Sequence, residues 1–196
     1  MASKKKHDIL IKVSMDSREC ITDYAKDLID ARVGKDGIKI VEVITEAVKP
    51  LDINTGKPCS KSTGDIGIYY KIANSDDEWK LSNLSIEIKK KDLFSSLYTK
   101  ANRDRLYAEL LRAKEYGLDF YFVNVNSLHD TIQDIKKVKK LAYTNCEVTH
   151  FDQLVDLNKK LAELGHNPII VSGKSLAWTI RRIIKRHIKL NKLQYI

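Results

Sequence analysis

The feature that most constrains this chain is the alternation in Leu84-Ser85-Ile86-Glu87-Ile88-Lys89. Successive side chains of a strand point to opposite faces, so Ile86 and Ile88 go one way while Glu87 and Lys89 go the other. Upstream, Gly64-Asp65-Ile66-Gly67-Ile68-Tyr69-Tyr70-Lys71-Ile72 is rich in β-branched and aromatic residues. The polar run Ala73-Asn74-Ser75-Asp76-Asp77-Glu78 reads as a hairpin loop joining the two segments. Antiparallel pairing across that loop predicts Asp65 near Glu87, since paired strands lie about 5 Å apart. Two carboxylates with a lysine two residues beyond the second suit metal-assisted phosphodiester cleavage. The oxygens hold a hard divalent cation such as Mg²⁺, and the lysine orients the attacking water or the phosphate. The plain alternative is a solvated sheet face, on which alternating Glu and Lys are ordinary.

Other segments fall into an order around this pair. An apolar strand, Ile9-Leu10-Ile11-Lys12-Val13-Ser14-Met15, ends in Asp16-Ser17-Arg18-Glu19. After Asp92-Leu93 and Ser96 come a helical segment with Arg105-Leu106 and Glu109, and then the strongly β-forming Asp119-Phe120-Tyr121-Phe122-Val123-Asn124-Val125. This collinear set, up to about Asn126, resembles the nuclease domain of the XPF-type structure-specific endonucleases in the PD-(D/E)XK superfamily. The family's pieces are D-x-R-E, then G-D, then E-R-K with a nearby Asp-Leu, then R-L-x-x-Q, then a buried strand. Here Ile88 stands for the arginine, Glu109 for the glutamine, and the spacer before Asp92 is one residue short. Asp92 therefore reads equally as a helix cap. The family's tandem helix-hairpin-helix domain has no counterpart in these 196 residues.

The resemblance implies an α/β fold with a restriction-endonuclease-like central mixed sheet flanked by helices. It implies Asp65, Glu87, Lys89, Asp16 and Arg18 as catalytic residues, with Asp92 a possible addition. Asp65, Glu87, Glu19 and the backbone carbonyl of Ile88 would hold Mg²⁺, with Mn²⁺ as its substitute. It further implies branched DNA as substrate, and a homodimer or a partner subunit. Tyr98, Tyr107 and the 119–125 strand are candidates for the dimer face, with buried core the default. The competing functions are a non-catalytic DNA-binding or scaffolding module and a nuclease for RNA or linear duplex DNA.

Charge favours a polyanionic partner: 35 Lys and Arg against 26 Asp and Glu give +9,. With 43% hydrophobic residues there is material for one core,. The last acidic residue is Glu163, and the excess positive charge gathers beyond it. There, Leu176, Ile180, Ile183, Ile184 and His187 recur at helical spacing, predicting a basic amphipathic helix. Arg181, Arg182, Lys185, Arg186 and Lys189 on its polar side, with Arg105, are the candidate phosphate contacts. A solvated face or a membrane-surface helix are the alternatives. The expected organisation is a basic tail at 1–7, a nuclease domain at 8–166 and a basic helical element at 167–196.

The remaining segments read as structural. Residues 27–48 predict a helix, a glycine turn and a strand, and 51–63 predict a loop bordering the site, in which Lys57 and Lys61 could reach substrate. Residues 128–144 and 151–165 predict helices, the second stopped at Gly165, with a short edge strand at 146–151 between them. Cys20, Cys59 and Cys146 lack zinc or disulfide spacing, and His150 and His187 are expected at the surface or partly packed. The Ser172-Gly173-Lys174-Ser175 run lacks the glycine spacing of a phosphate-binding loop. No apolar run is long enough to span a membrane and no signal peptide is visible, so an intracellular protein is expected.

Overall fold

The computed structural model describes residues 6–16, 24–90, 93–125, 146–171 and 175–195. Its centre is a seven-stranded mixed sheet. Strand β1 (Ile9–Met15) lies between β2 (Ile38–Thr45), parallel to it, and β5 (Ile66–Ile72), antiparallel to it. Strand β7 (Leu84–Lys89) meets β5 antiparallel at Ile66 and Ile86, and continues in parallel to β8 (Asp119–Asn124) and β9 (Asn167–Ile170). Short β6 (Lys80–Leu81) pairs with β5 and forms the expected hairpin, while β3 (Leu51–Asp52) and β4 (Lys57–Pro58) make a separate ribbon. The 51–63 stretch is thus a small hairpin where a plain loop was expected.

Alternation divides the sheet into two chemically distinct faces. Ile9, Ile11, Val13, Met15, Ile66, Ile68, Leu84, Ile86 and Ile88 all join one core cluster. Helix α1 (Ala25–Leu28) and a C-terminal helix, α5 (Leu176–Leu190), cover that cluster with Leu28, Leu176, Ile180, Ile183, Ile184 and Ile188. The opposite face carries Phe120 and Phe122 of β8, which pack with α2 (Leu93–Tyr98), α3 (Lys100–Glu115) and α4 (Cys146–Glu163) through Leu93, Leu97, Leu106, Leu110, Leu157 and Leu161. The result is the expected α/β class: a mixed sheet with helices on both faces.

Local chemistry sets the helix ends. The Thr99 side chain accepts from Asn102 N at 3.2 Å, which caps α3,. Gly165, at φ +77°, ends α4 in the left-handed conformation as expected,. Residues 146–151 belong to α4, correcting the expected edge strand. Val148 and Thr149 favour β structure locally, but extending an existing helix adds a hydrogen bond for each residue fixed and overrides that preference.

The stretch beyond residue 166 is built into the same body. β9 extends the sheet and α5 completes the first core cluster, so the expected appended element is structurally continuous with what precedes it. Gln194 O accepts from His7 N at 3.0 Å, tying α5's exit to the entry of β1. Strand β8 lies between two others with Phe120, Tyr121, Phe122 and Val123 buried, in keeping with buried core as its default. Tyr107 packs partly into the second cluster. Among the described residues, no helix is long and apolar enough to cross a membrane. The helix expected at 128–144, the 172–174 part of the Ser-Gly-Lys-Ser run and most of the basic tail lie outside the described residues.

Candidate active site

The strand parity that sends the isoleucines into the first cluster places Asp16, Asp65, Glu87 and Lys89 on the opposite face, across the neighbouring strands β1, β5 and β7. Backbone bonds fix the juxtaposition. Asp16 N donates to Asp65 O at 2.9 Å, and Asp65 N donates to Ile86 O at 2.8 Å. The Asp65 side chain then turns along β7, where its Oδ2 accepts from Ile88 N at 2.7 Å. The sequence-predicted approach of Asp65 to Glu87 across the hairpin is therefore present. Arg18, Glu19 and Asp92 lie outside the described residues.

Gly64 makes that approach possible. Its φ is +78°, and a Cβ there would run into Ser85 Oγ and come within 3.1 Å of Ile86 O. Only glycine allows this close packing in that conformation. Ser85 Oγ donates to Thr63 O at 2.9 Å, closing the turn from β7. From above, Glu109 Oε1 accepts from Gly64 N at 2.9 Å. Helix α3 thus delivers a third carboxylate to the site. Arg105 is exposed one turn earlier on the same helix,.

Electrostatics make Glu87 the unusual member. It is only 3% exposed, and Lys89 Nζ stands 2.5 Å from its Oε1. Burial pushes its pKa well above the ordinary glutamate value, and the charges of Asp65 and Glu109 push the same way, against the pull of Lys89,. A single ammonium does not offset burial among carboxylates. Such a site attracts further positive charge.

Among the described residues, no group of three or more His, Cys, Asp or Glu is gathered closely enough to hold a metal ion. The donor chemistry nevertheless fits a hard cation. Asp65 and Glu87 offer oxygen only, and a divalent ion beside them would relieve the repulsion that disfavours Glu87 ionisation. Ile88, a candidate ligand through its carbonyl, engages Asp65 through its amide while its side chain sits in the first core cluster.

Two features went unread in the sequence. Glu109 was visible as the residue in the family's glutamine position, but its reach to Gly64 needs the helix's placement over β5 and β7. Asn124 lies beside Lys89 in register, on the same face, and among the described residues its buried Oδ1 has no hydrogen-bond partner.

The basic residues of α5 are placed elsewhere. That helix covers the isoleucine face, on the other side of the sheet from Glu87. Arg181 pairs with Asp30, Lys185 lies 3.4 Å from Asp30 and 3.9 Å from Asp36, and Lys189 lies 3.8 Å from Asp36. Arg182 stacks on Trp178 at 4.6 Å, and Arg186 is exposed. His187, expected near the surface, is wholly buried. Its Nδ1 lies 2.5 Å from Asp119 Oδ2 and its Nε2 lies 2.7 Å from Ser82 Oγ. Asp119 Oδ2 can only accept, so Nδ1–H donates to it, and in that tautomer Nε2 accepts from the serine hydroxyl,. Leu84 N in turn donates to Ser82 Oγ at 3.2 Å, so the chain of bonds ends in the backbone of β7. Ser82 is buried, and the arrangement is a structural relay anchoring α5.

The chain matches no protein-family model, and no curated protein is similar enough to it to count as a relative.

Proposed function

We propose that this chain is a Mg²⁺-dependent DNA endonuclease with a restriction-endonuclease-like fold, acting on branched or otherwise structured DNA in repair, recombination or replication. The observation that carries the reading is the convergence of Asp65, Glu87 and Lys89, with buried Glu87 held between an ammonium and two further carboxylates. Asp65 and Glu87 are the residues that would hold the ion, with Mn²⁺ able to replace Mg²⁺. When bound, the ion would supply Lewis-acid polarisation of the phosphate and an activated water. Lys89, on the same face and directly beyond Glu87, orients the water and offsets the negative charge that grows on the phosphorane. Glu109 holds the Gly64 amide and so fixes the turn from which Asp65 emerges. Asp16 extends the acidic edge, with Arg18 and Glu19 following it in sequence.

Branched DNA, a homodimer or partner subunit, and an intracellular location in cytoplasm, nucleoid or nucleus come from the XPF-type resemblance. A non-catalytic nucleic-acid-binding module is the second reading. It is favoured by the absence of a three-ligand group among the described residues and by the occupation of Glu87 by Lys89.

The test compares forked DNA, linear duplex and RNA in Mg²⁺ and in EDTA. The expected result is cation-dependent cleavage, greatest on forked DNA and abolished by Asp65→Asn with folding and DNA binding retained. Cleavage by that variant at the wild-type rate overturns the mechanism, and preference for RNA or linear duplex reassigns the substrate.

A further inference from the structure

Asn124 closes strand β8 as Lys89 closes β7, and the two are register partners on adjacent parallel strands. Both stand at the carboxyl ends of those strands, where open α/β sheets bind their ligands. The backbone around them is held on both sides: Val171 N donates to Asn124 O at 2.9 Å, and Val125 N donates to Lys89 O at 2.7 Å. The Asn124 side chain is placed differently. Its Oδ1 is buried and, among the described residues, accepts no hydrogen bond. A buried acceptor in that state costs about as much as a lost hydrogen bond, so a position that keeps one calls for a partner in another state of the molecule.

The neighbours identify that partner. On the same face, Phe122 precedes Asn124 on its own strand and Ile170 lies beside it on β9, both apolar. Of its described neighbours on this face of the sheet, Lys89 is the polar one. The Lys89 ammonium lies 2.5 Å from Glu87 Oε1. That contact sets two uses of the site against each other. An ammonium on Glu87 occupies an oxygen that a bound cation needs, and the carboxylate in turn quenches the charge that Lys89 would turn towards a phosphate. Other oxygens nearby are engaged: Asp65 Oδ2 accepts from Ile88 N, and Glu109 Oε1 accepts from Gly64 N. Asn124 Oδ1 resolves the conflict, because a neutral amide oxygen holds an ammonium without cancelling its charge. Paired strands lie about 4.8 Å apart, which the flexible four-carbon stem of a lysine spans.

We propose that Lys89 has two seats, Glu87 Oε1 in the cation-free protein and Asn124 Oδ1 when a divalent ion is held by Asp65 and Glu87, which makes Asn124 a positioning residue for the lysine. This rests on the metal-site part of the nuclease reading, but it is measured by cation binding and needs no cleavage. It also accounts for the Glu87–Lys89 contact that favours a non-catalytic module, since that pair is then the resting arrangement of the cation site.

Mn²⁺ binding is measured by calorimetry at one fixed pH on wild type, N124L, K89M and N124L/K89M, with urea unfolding of each in EDTA. N124L should bind Mn²⁺ about tenfold more weakly than wild type, the worth of one hydrogen bond from a charged group, because Lys89 then lacks its second seat. In the K89M background the same substitution should change affinity by less than about twofold, since no ammonium remains to be relocated; the double-mutant cycle reads that coupling. Leucine removes an acceptor that nothing bonds in the cation-free protein, so N124L should unfold in EDTA at the wild-type midpoint or above it. Wild-type Mn²⁺ affinity in N124L, an equal loss in both backgrounds, or an N124L midpoint clearly below wild type overturns the inference. Absence of Mn²⁺ binding by wild type overturns both it and the metal-dependent nuclease reading. The expected coupling in a protein that leaves forked DNA uncut in Mg²⁺ keeps the two seats and removes only the catalytic reading.

Discussion

Glu87 is a carboxyl that folding moves into poor surroundings for a charge. In the unfolded chain it ionises near its ordinary value of 4.5, whereas burial and the neighbouring Asp65 and Glu109 raise its pKa in the fold. The protonated form is thus favoured by the native state, and its contribution to stability is complete below about pH 4.5. As pH rises the unfolded state releases the proton first, and stability falls until the folded carboxyl has ionised as well. Cation-free urea midpoints measured from pH 4 to pH 8 should show this decline for wild type and lose that component in Glu87→Gln, which should be the more stable protein at pH 8. A midpoint with the same pH dependence in both proteins contradicts the assignment. The identity of this residue was legible in the sequence, because alternation alone sets Glu87 and Lys89 opposite Ile86 and Ile88. Its energetics were not, because they depend on Glu109, which is 22 residues away and arrives on a helix.

At the level of elements, α5 shows how one amphipathic pattern serves two ends. Its apolar stripe was readable at 3.6-residue spacing, and the same residues are buried. What the pattern left out was the destination of the polar side: Asp30 and Asp36, more than a hundred residues upstream, take up Arg181, Lys185 and Lys189. His187 was counted with the stripe by spacing, yet its bonds to Ser82 and Asp119 depend on where the helix docks. His187→Ala should cost about 2–5 kcal/mol, because it empties a buried ring's volume and leaves the Ser82 hydroxyl without its acceptor. Denaturant unfolding measures this, and a loss below about 0.5 kcal/mol would show that the relay does not anchor the helix. The 146–151 segment misled for the opposite reason: six residues carry too little periodicity to distinguish a strand from the first turns of a long helix.

At the scale of the molecule, the described residues form a sheet with an aliphatic layer on one face and, on the other, an acidic site beside a second apolar cluster. Ile180, Ile184 and Ile188 are fully buried in that layer, each contributing about 1.5–3 kcal/mol by leaving water,. Ending the chain at residue 174 removes all of them, together with the tie from Gln194 to His7. That truncated protein should expose the aliphatic face, bind a hydrophobic dye and lose the cooperative unfolding transition of the full chain. A soluble, cooperatively unfolding fragment would show that residues 8–166 form a self-sufficient domain after all. The distance in sequence between β1 and α5 also sets an order in time. Met15 ends the strand and Leu176 begins the helix that covers it, so that whole intervening stretch must be synthesised before α5 can shield Ile9, Ile11 and Val13. During that interval the nascent protein carries an open apolar sheet, and its yield in a cell depends on chaperones that hold such surfaces.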